Sequence, residues 1–276
     1  METVAKAMAS KSVVIGGGLL LIVLAMAALA GLVFPNDPLD LVGAPLQKPF
    51  ESFEEPLGTD STGRSVAAQL MYGARTSLLI GFIATGVAVL TGIFVGALAG
   101  FYGGWVDTLL MRITEAFQIV PSFILLLVLV VVFGSDIGTL ALVIGAVSWT
   151  APARLTRAEF LSLRGREFVQ ACRGLGMSDF TIIFREILPN ALPPVIVYTS
   201  VVMALAILLE SALAFLGFSD PDVASWGKLI SDGRKVLRTG WTVAFLPGLM
   251  ILITVLSVSL LGQGINDTLN PRLSRK

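Results

Sequence analysis

The chain has 276 residues, of which 55% are hydrophobic and only 14% charged, and its 19 basic and 19 acidic side chains cancel. Globular domains carry about a quarter charged residues, so this composition and a mean hydropathy of +0.86 belong to a membrane protein. A single cysteine, Cys172, and no histidine exclude an intramolecular disulfide, a thiolate or His-ligated metal site, and any Ser-His or Cys-His nucleophile. The zero net charge gives nucleic acid no footing as a partner.

A bilayer core of about 30 Å needs about 20 apolar residues in a helix. Six stretches qualify: 13–34, 77–101, 115–134, 137–153, 193–217 and 243–263. The first follows Lys6 and Lys11, and Ala28-Leu29-Ala30 raises a signal peptide as the alternative. Its apolar run reaches Phe34, which favours a retained helix. The Gly16-Gly17-Gly18 run inside it lacks the lysine of a phosphate loop.

An acidic loop follows, and residues 62–74 then read as an amphipathic helix with Val66, Leu70 and Met71 on one side. Lying on the outer surface it would shape a pore mouth or meet a binding protein; alternatively it only leads into span two. Asp60 and Arg64, four apart, are expected to form an exposed ion pair of little value. In span three, Glu115 lies one turn from Arg112 and is expected to pair with it. Pro121 either kinks that span toward a pore, with Ser122 beside it, or is simply a tolerated membrane proline. Gly134-Ser135-Asp136 is the only break before span four, which predicts a helical hairpin.

Residues 165–190, between spans four and five, are the polar exception. Phe168, Ala171, Cys172 and Leu175 fall at i, i+3, i+4 and i+7, as do Phe180, Ile183, Phe184 and Ile187. Gly174 and Gly176 supply a left-handed turn between them, Ser178 and Asp179 are N-cap types, and Pro189 is expected to stop the second helix. Two one-faced helices joined at glycine either lie on the headgroups or dock into a groove of a soluble partner. In span five, Glu210 lies deep beside Ser211. It must face a neighbouring helix end, a basic residue of a partner subunit, or a water-filled path. Pro193-Pro194 and Pro247 read as span-start signals.

Six spans put both termini on one side. With the N-terminus inside, the inner segments hold twelve of the nineteen basic residues, six of them the arginines from Arg154 to Arg185. That bias predicts both termini in the cytoplasm. Lys228, Arg234, Lys235 and Arg238 in loop 218–242 run against it.

Gln170-Ala171-Cys172-Arg173-Gly174-Leu175-Gly176, closed by Ile187-Leu188-Pro189, resembles the EAA-type loop of ABC importer permeases. Pro56-Leu57-Gly58-Thr59-Asp60-Ser61-Thr62-Gly63-Arg64 and Tyr72-Gly73-Ala74-Arg75-Thr76-Ser77-Leu78 are similar to the entry to span two in one subfamily, the second permease of dipeptide, oligopeptide and nickel importers. Gly103-Gly104-Trp105-Val106-Asp107 with Met111-Arg112, Glu210-Ser211 with Phe215-Leu216-Gly217, Ser225-Trp226-Gly227, and Asn266-Asp267 with Asn270-Pro271-Arg272 fit as well. Gln170, Cys172 and Ser65 depart from the family's usual Glu, Ala and Asp.

The resemblance implies an all-α, six-span bacterial inner-membrane permease of the type I ABC importer fold. Residues 1–76 would carry the tail, first span and outer loop, and 77–276 the core. The coupling loop, with Glu167, Gln170, Ala171, Cys172, Arg173, Gly174, Gly176, Phe180, Ile187, Leu188 and Pro189, would seat in an ATPase. Glu210, Ser211, Pro121 and Ser122 are path candidates, and Gly58, Thr59, Asp60, Gly63 and Arg64 form the outer motif. The implied partners are a homologous permease, one or two cytoplasmic ATPase subunits and an extracytoplasmic binding protein, besides the lipid bilayer. ATP and magnesium would sit on the ATPases, leaving this chain without cofactor, metal or catalysis. Peptides are the expected cargo, with nickel or another small solute the alternative. A secondary transporter is a poorer fit, since only one deep carboxylate and no repeat is evident, and an intramembrane hydrolase lacks its histidine or aspartate pair.

Overall fold

The computed structural model describes residues 11–269, and among these the regular structure is helical, with only two isolated bridges in the outer loop, Leu41 to Arg64 and Thr59 to Ser65. The motif residues Asn270, Pro271 and Arg272, and the charges Lys6, Arg275 and Lys276 used in the orientation count, lie outside the described residues.

Helix α1 is Lys11–Val33 and α2 is Val66–Tyr102. At 1.5 Å per residue α2 is about 55 Å long, well beyond a bilayer core. The separate surface helix expected at 62–74 is therefore the first part of span two, and the 76/77 division falls inside one continuous helix. Its start is set by Ser65, whose hydroxyl accepts from the Ala68 N–H at 3.3 Å. Serine and aspartate are both N-cap residues, so this departure from the family pattern leaves the helix start intact.

Span three is broken. Helix α3 (Gly104–Ile119) and α4 (Ser122–Phe133) meet at 83°. Pro121 has no N–H to continue α3, and it forces the residue before it out of the helical region; Val120 is extended at φ −83°, ψ 127°. The expected continuous helix over 115–134 is thus an elbow. Gly134, at φ +101°, turns the chain, and Asp136 caps α5 (Ile137–Ser148) by accepting from Thr139 N–H at 3.1 Å. Leu126 and Val130 of α4 pack against Leu140, Ala141 and Ile144 of α5, which is the expected hairpin. After a 43° bend, α6 (Thr150–Leu163) carries the chain out.

Helix α7 (Glu167–Gly174) precedes α8 (Asp179–Phe215), whose Ile182–Ile187 turn is π-helical. Helix α9 (Trp226–Gly233), a 3₁₀ turn at Arg234–Val236 and α10 (Thr242–Leu269) complete the chain. Neither Pro189, Pro193-Pro194 nor Pro247 bounds a helix as expected. Pro189 takes the second position of the α-helical stretch that starts at Leu188, where proline's fixed φ is tolerated, and the other three lie within α8 and α10. Among the described residues, four helices are long and apolar enough to cross a membrane, and up to six spans result if each bent pair counts as one.

Small residues set the close contact between α2 and α6. Gly92, Gly96 and Gly100 of α2, four apart on one face, lie against Pro152, Ala153, Thr156 and Phe160 of α6. A Cβ on any of the three would come under 3.0 Å from α6 atoms. In lipid, helices gain little from apolar transfer, so close backbone approach of this kind supplies the packing. Beside it, the Asp107 carboxylate of α3 accepts from Nε and Nη2 of Arg157 on α6, the latter at 2.7 Å.

Candidate functional site

Residues 165–190 form a compact bracket on the ends of α2 and α6. Val169 of α7 and Ile182, Ile183 and Ile187 of the π turn are buried against Ala97, Phe101 and Phe160, with Cys172, Met177 and Leu188 partly buried beside them. Gly176, at φ +73°, makes the left-handed turn; Gly174 stays helical. Met177 N–H closes the turn onto the Cys172 carbonyl at 3.1 Å, and the Ser178 hydroxyl caps the second helix by accepting from Thr181 N–H at 3.3 Å.

The helix–glycine–helix layout is therefore as expected, but the buried faces are not. Of the first predicted face only Cys172 turns inward, and Phe168, Ala171 and Leu175 are exposed. Of the second, Ile183 and Ile187 are buried, whereas Phe180 and Phe184 are exposed, with ring centroids 4.5 Å apart. A π turn bonds i to i+5, which rotates the inner positions to 182, 183 and 187 and turns both phenylalanines outward. Leu175 is 81% and Phe180 71% exposed, so the bracket presents an apolar outer surface on a buried frame.

The remaining loop residues divide between the two sides. Gln170 is exposed, and its amide donates to the Gly165 carbonyl at 3.2 Å. The Arg173 guanidinium lies 5.3 Å from the Phe101 ring centre, a cation–π contact with the chain's own α2. Glu167 and Pro189 are exposed, while Ile187 belongs to the core.

Glu210 is fully buried between α8 and α2. Its carboxylate accepts from the hydroxyls of Ser77 and Ser211, each at 3.3 Å, with no basic side chain in the arrangement. A cavity of about 10 Å³, bounded also by Thr76, Ser219 and Ser225, has room for one water beside it. Glu210 thus meets a hydroxyl from the interior of α2 and one from its own helix rather than the expected helix end or basic residue, and both Glu210 and Ser211 are buried. Pro121 and Ser122, in contrast, are exposed at the α3–α4 elbow. The Arg112–Glu115 pair forms as expected at 3.1 Å and is largely exposed.

The outer motif is a folded knot. Gly58 and Gly63 have φ of +75° and +91°, and a Cβ on either would strike the 43–47 backbone. Thr59 is buried, donating to the Ala44 carbonyl at 2.6 Å and accepting from Gln47 N–H at 3.0 Å. Asp60 is buried too, and the expected exposed ion pair with Arg64 is absent. Its Oδ1 accepts from the Arg64 backbone N–H at 3.0 Å and from the Thr62 N–H and hydroxyl at 2.8 and 2.7 Å. Its Oδ2 accepts from the Gln69 amide at 2.9 Å. Burial alone would raise the Asp60 pKa, but the hydrogen bonds from Thr62, Arg64 and Gln69 outweigh it and hold the carboxyl below its ordinary value.

The second motif ties α2 to three other helices. Tyr72 donates to the Phe34 carbonyl at 2.9 Å, and Arg75 donates to the Ala27 and Ala28 carbonyls of α1. Gly73 makes room for Trp226, whose indole N–H donates to the Leu70 carbonyl at 3.0 Å, and Ser77 reaches Glu210. Sequence reading missed Val169, Ile182, Trp226 and the Asp107–Arg157 pair as fixed points. The four-residue spacing of Gly92, Gly96 and Gly100 was the legible sign of the α2–α6 contact.

The family model described as "Binding-protein-dependent transport system inner membrane component" matches residues 92–275. A dipeptide transport system permease protein of Alkalihalophilus pseudofirmus is 38% identical over 224 residues, 80% of this chain and 73% of that protein. A putative peptide transport system permease protein of Brucella suis is 36% identical over 273 residues, covering 98% and 91%. A glutathione transport system permease protein of Pectobacterium atrosepticum is 34% identical over 79% and 72%. Among solved structures, an inward-facing MetNI methionine ABC transporter chain is similar with a TM-score of 0.60 at 18% identity, over 73% of this chain and 96% of that one.

Proposed function

The chain belongs to the family of binding-protein-dependent transport system inner membrane components, and from that premise we propose that it is one permease half of a bacterial ABC importer for short peptides. The peptide assignment rests on relatives named for dipeptide, peptide and glutathione transport. A homologous second permease completes the path, cytoplasmic ATPase subunits hold ATP and magnesium, and an extracytoplasmic binding protein delivers the cargo. Both termini lie in the cytoplasm, which places residues 165–190 there too.

The observation that carries the reading is the apolar outer surface of that bracket. Phe168, Leu175, Phe180 and Phe184 point away from the chain, while Val169, Ile182, Ile183 and Ile187 lock the bracket to α2, α6 and α8. Such a surface suits a groove on the ATPase, and its rigid seat suits the transmission of movement. Coupling is a free-energy difference between two states, and a loose lever would dissipate it. The elbow is the best path element of this chain. Irregular backbone at membrane depth is tolerated where it is covered by protein or lines a water-filled cavity, and the exposed turn at Pro121 and Ser122 meets that condition at the seam with the second permease.

The test uses the reconstituted importer with both permeases, the ATPases and the binding protein. Replacing Phe180 and Phe184 by glutamate should leave the complex inserted with its thermal midpoint unchanged, while peptide-stimulated ATP hydrolysis falls at least about tenfold, the loss of a small hot spot. Normal stimulation and uptake would mean that the surface rests on lipid.

A further inference from the structure

A second surface stands apart from the coupling bracket and the path. On the side of the chain away from residues 165–190, loop 46–49 and the turn before α10 enclose a cavity of about 190 Å³. Its walls include Lys48, Thr239, Trp241 and Thr242, and Arg238 directly precedes Thr239. Lys48 is the one charged residue in the wall. Neither its ammonium nor the Arg238 guanidinium has an ion-pair partner among the described residues, and Glu51 accepts instead from the Lys48 backbone N–H at 3.0 Å.

Depth is fixed by sequence. Thr242 opens an apolar helix long enough to cross the membrane, so the cavity lies level with the headgroups, where tryptophan concentrates. Directly below the wall residue Trp241, Phe245, Leu252 and Leu256 are exposed along one face of α10. The cationic cavity thus sits at the head of an apolar stripe, which matches a phosphate above acyl chains. Arg238 is one of the loop 218–242 cations that run against the inside bias of basic charge; an anion at this boundary accounts for a cation there.

We propose that this cavity binds the headgroup of an anionic phospholipid, with Lys48 and Arg238 holding the phosphate, Thr239 and Thr242 offering hydroxyl donors, and an acyl chain lying on Trp241 and Phe245. A flat acidic protein surface would use the two cations but leave the stripe without a role.

The test is native mass spectrometry of the purified importer complex with added phosphatidylglycerol or phosphatidylcholine. Wild type should retain phosphatidylglycerol preferentially. Lys48→Gln and Arg238→Gln should each lower that retention about fivefold and the double variant roughly twenty-five-fold, as expected for removing juxtamembrane cations. K48R/R238K should keep it, which separates lost charge from lost folding. Equal retention by wild type and the double variant overturns the proposal. Displacement by millimolar inorganic phosphate, with no preference between the two lipids, assigns the cavity to a free anion and overturns it as well. So does a double variant whose lipid retention is intact but whose response to the binding protein is lost.

Discussion

The 58–64 motif and the 165–190 bracket are both dense in recognisable residues, and they use them in opposite ways. Thr59, Asp60, Ser65 and Ser77 are buried and spend their polar groups on the chain itself. Leu175 and Phe180 are mostly exposed, and Phe168 and Phe184 are exposed in part. A legible motif is therefore no sign of a contact surface; burial decides which motif builds the fold and which is left for a partner. Substitutions should separate the two regions by stability, with the outer motif giving the largest losses.

The largest is expected at Asp60. Asp60→Ala leaves the Thr62, Arg64 and Gln69 donors of a buried site without their acceptor, a loss of about 3 kcal/mol and a clearly lowered thermal midpoint. The same carboxylate gives a pH dependence. Its folded pKa is depressed, so its stabilisation is present above the unfolded value of about 3.9 and is lost as pH falls through the folded one. Midpoints measured from neutral pH down toward pH 3 should fall more steeply for wild type than for Asp60→Asn. Parallel curves would show that Asp60 does not anchor the knot.

Much of this contrast was legible in the sequence, and the failures have physical causes. The helical hairpin at Gly134, the glycine turn at Gly176 and the Ser178 cap depend on neighbours in sequence, and they stand where local rules put them. Asp60 read as exposed because an aspartate four residues from an arginine looks like a surface pair; only the return of Gln69 on α2 makes the site buried. Glu210 read as a path candidate because a deep carboxylate demands a partner, and that partner, Ser77, lies 133 residues away in sequence. The second face of the bracket failed through register. A 3.6-residue period counts an α-helix, and nothing local announces the π turn that carries Phe180 and Phe184 outward. Proline misled repeatedly, as a stop at Pro189, as a span start at Pro193-Pro194 and Pro247, and as a mere kink at Pro121, since tertiary packing decides whether a helix resumes beyond it.

A smaller effect is expected at Cys172, the bracket's one inward-facing member of its predicted face. Cys172→Ala restores the residue usual in the family and removes one partly buried sulfur from the cluster around Phe101 and Val169. The loss should be about 1 kcal/mol or less, with peptide-stimulated ATP hydrolysis unchanged, because the side chain packs in part against the inner cluster. A change in stimulation at constant stability would move Cys172 to the partner side of the comparison.

The smallest stability effect, and the sharpest form of the contrast, is expected at Leu175. It is 81% exposed, it follows α7 at the glycine turn, and no buried group of the chain depends on it. Leu175→Ser should shift unfolding by no more than about 0.5 kcal/mol, the range for surface substitutions. A leucine that seats in a partner loses its burial there when truncated, so stimulated hydrolysis should fall severalfold while the midpoint stays put. Asp60→Ala should do the reverse, lowering the midpoint while each molecule that remains folded is stimulated normally. Measuring both quantities for both variants gives the comparison its strictest form: if they move together at either site, the division between a motif that builds and a motif that docks is wrong.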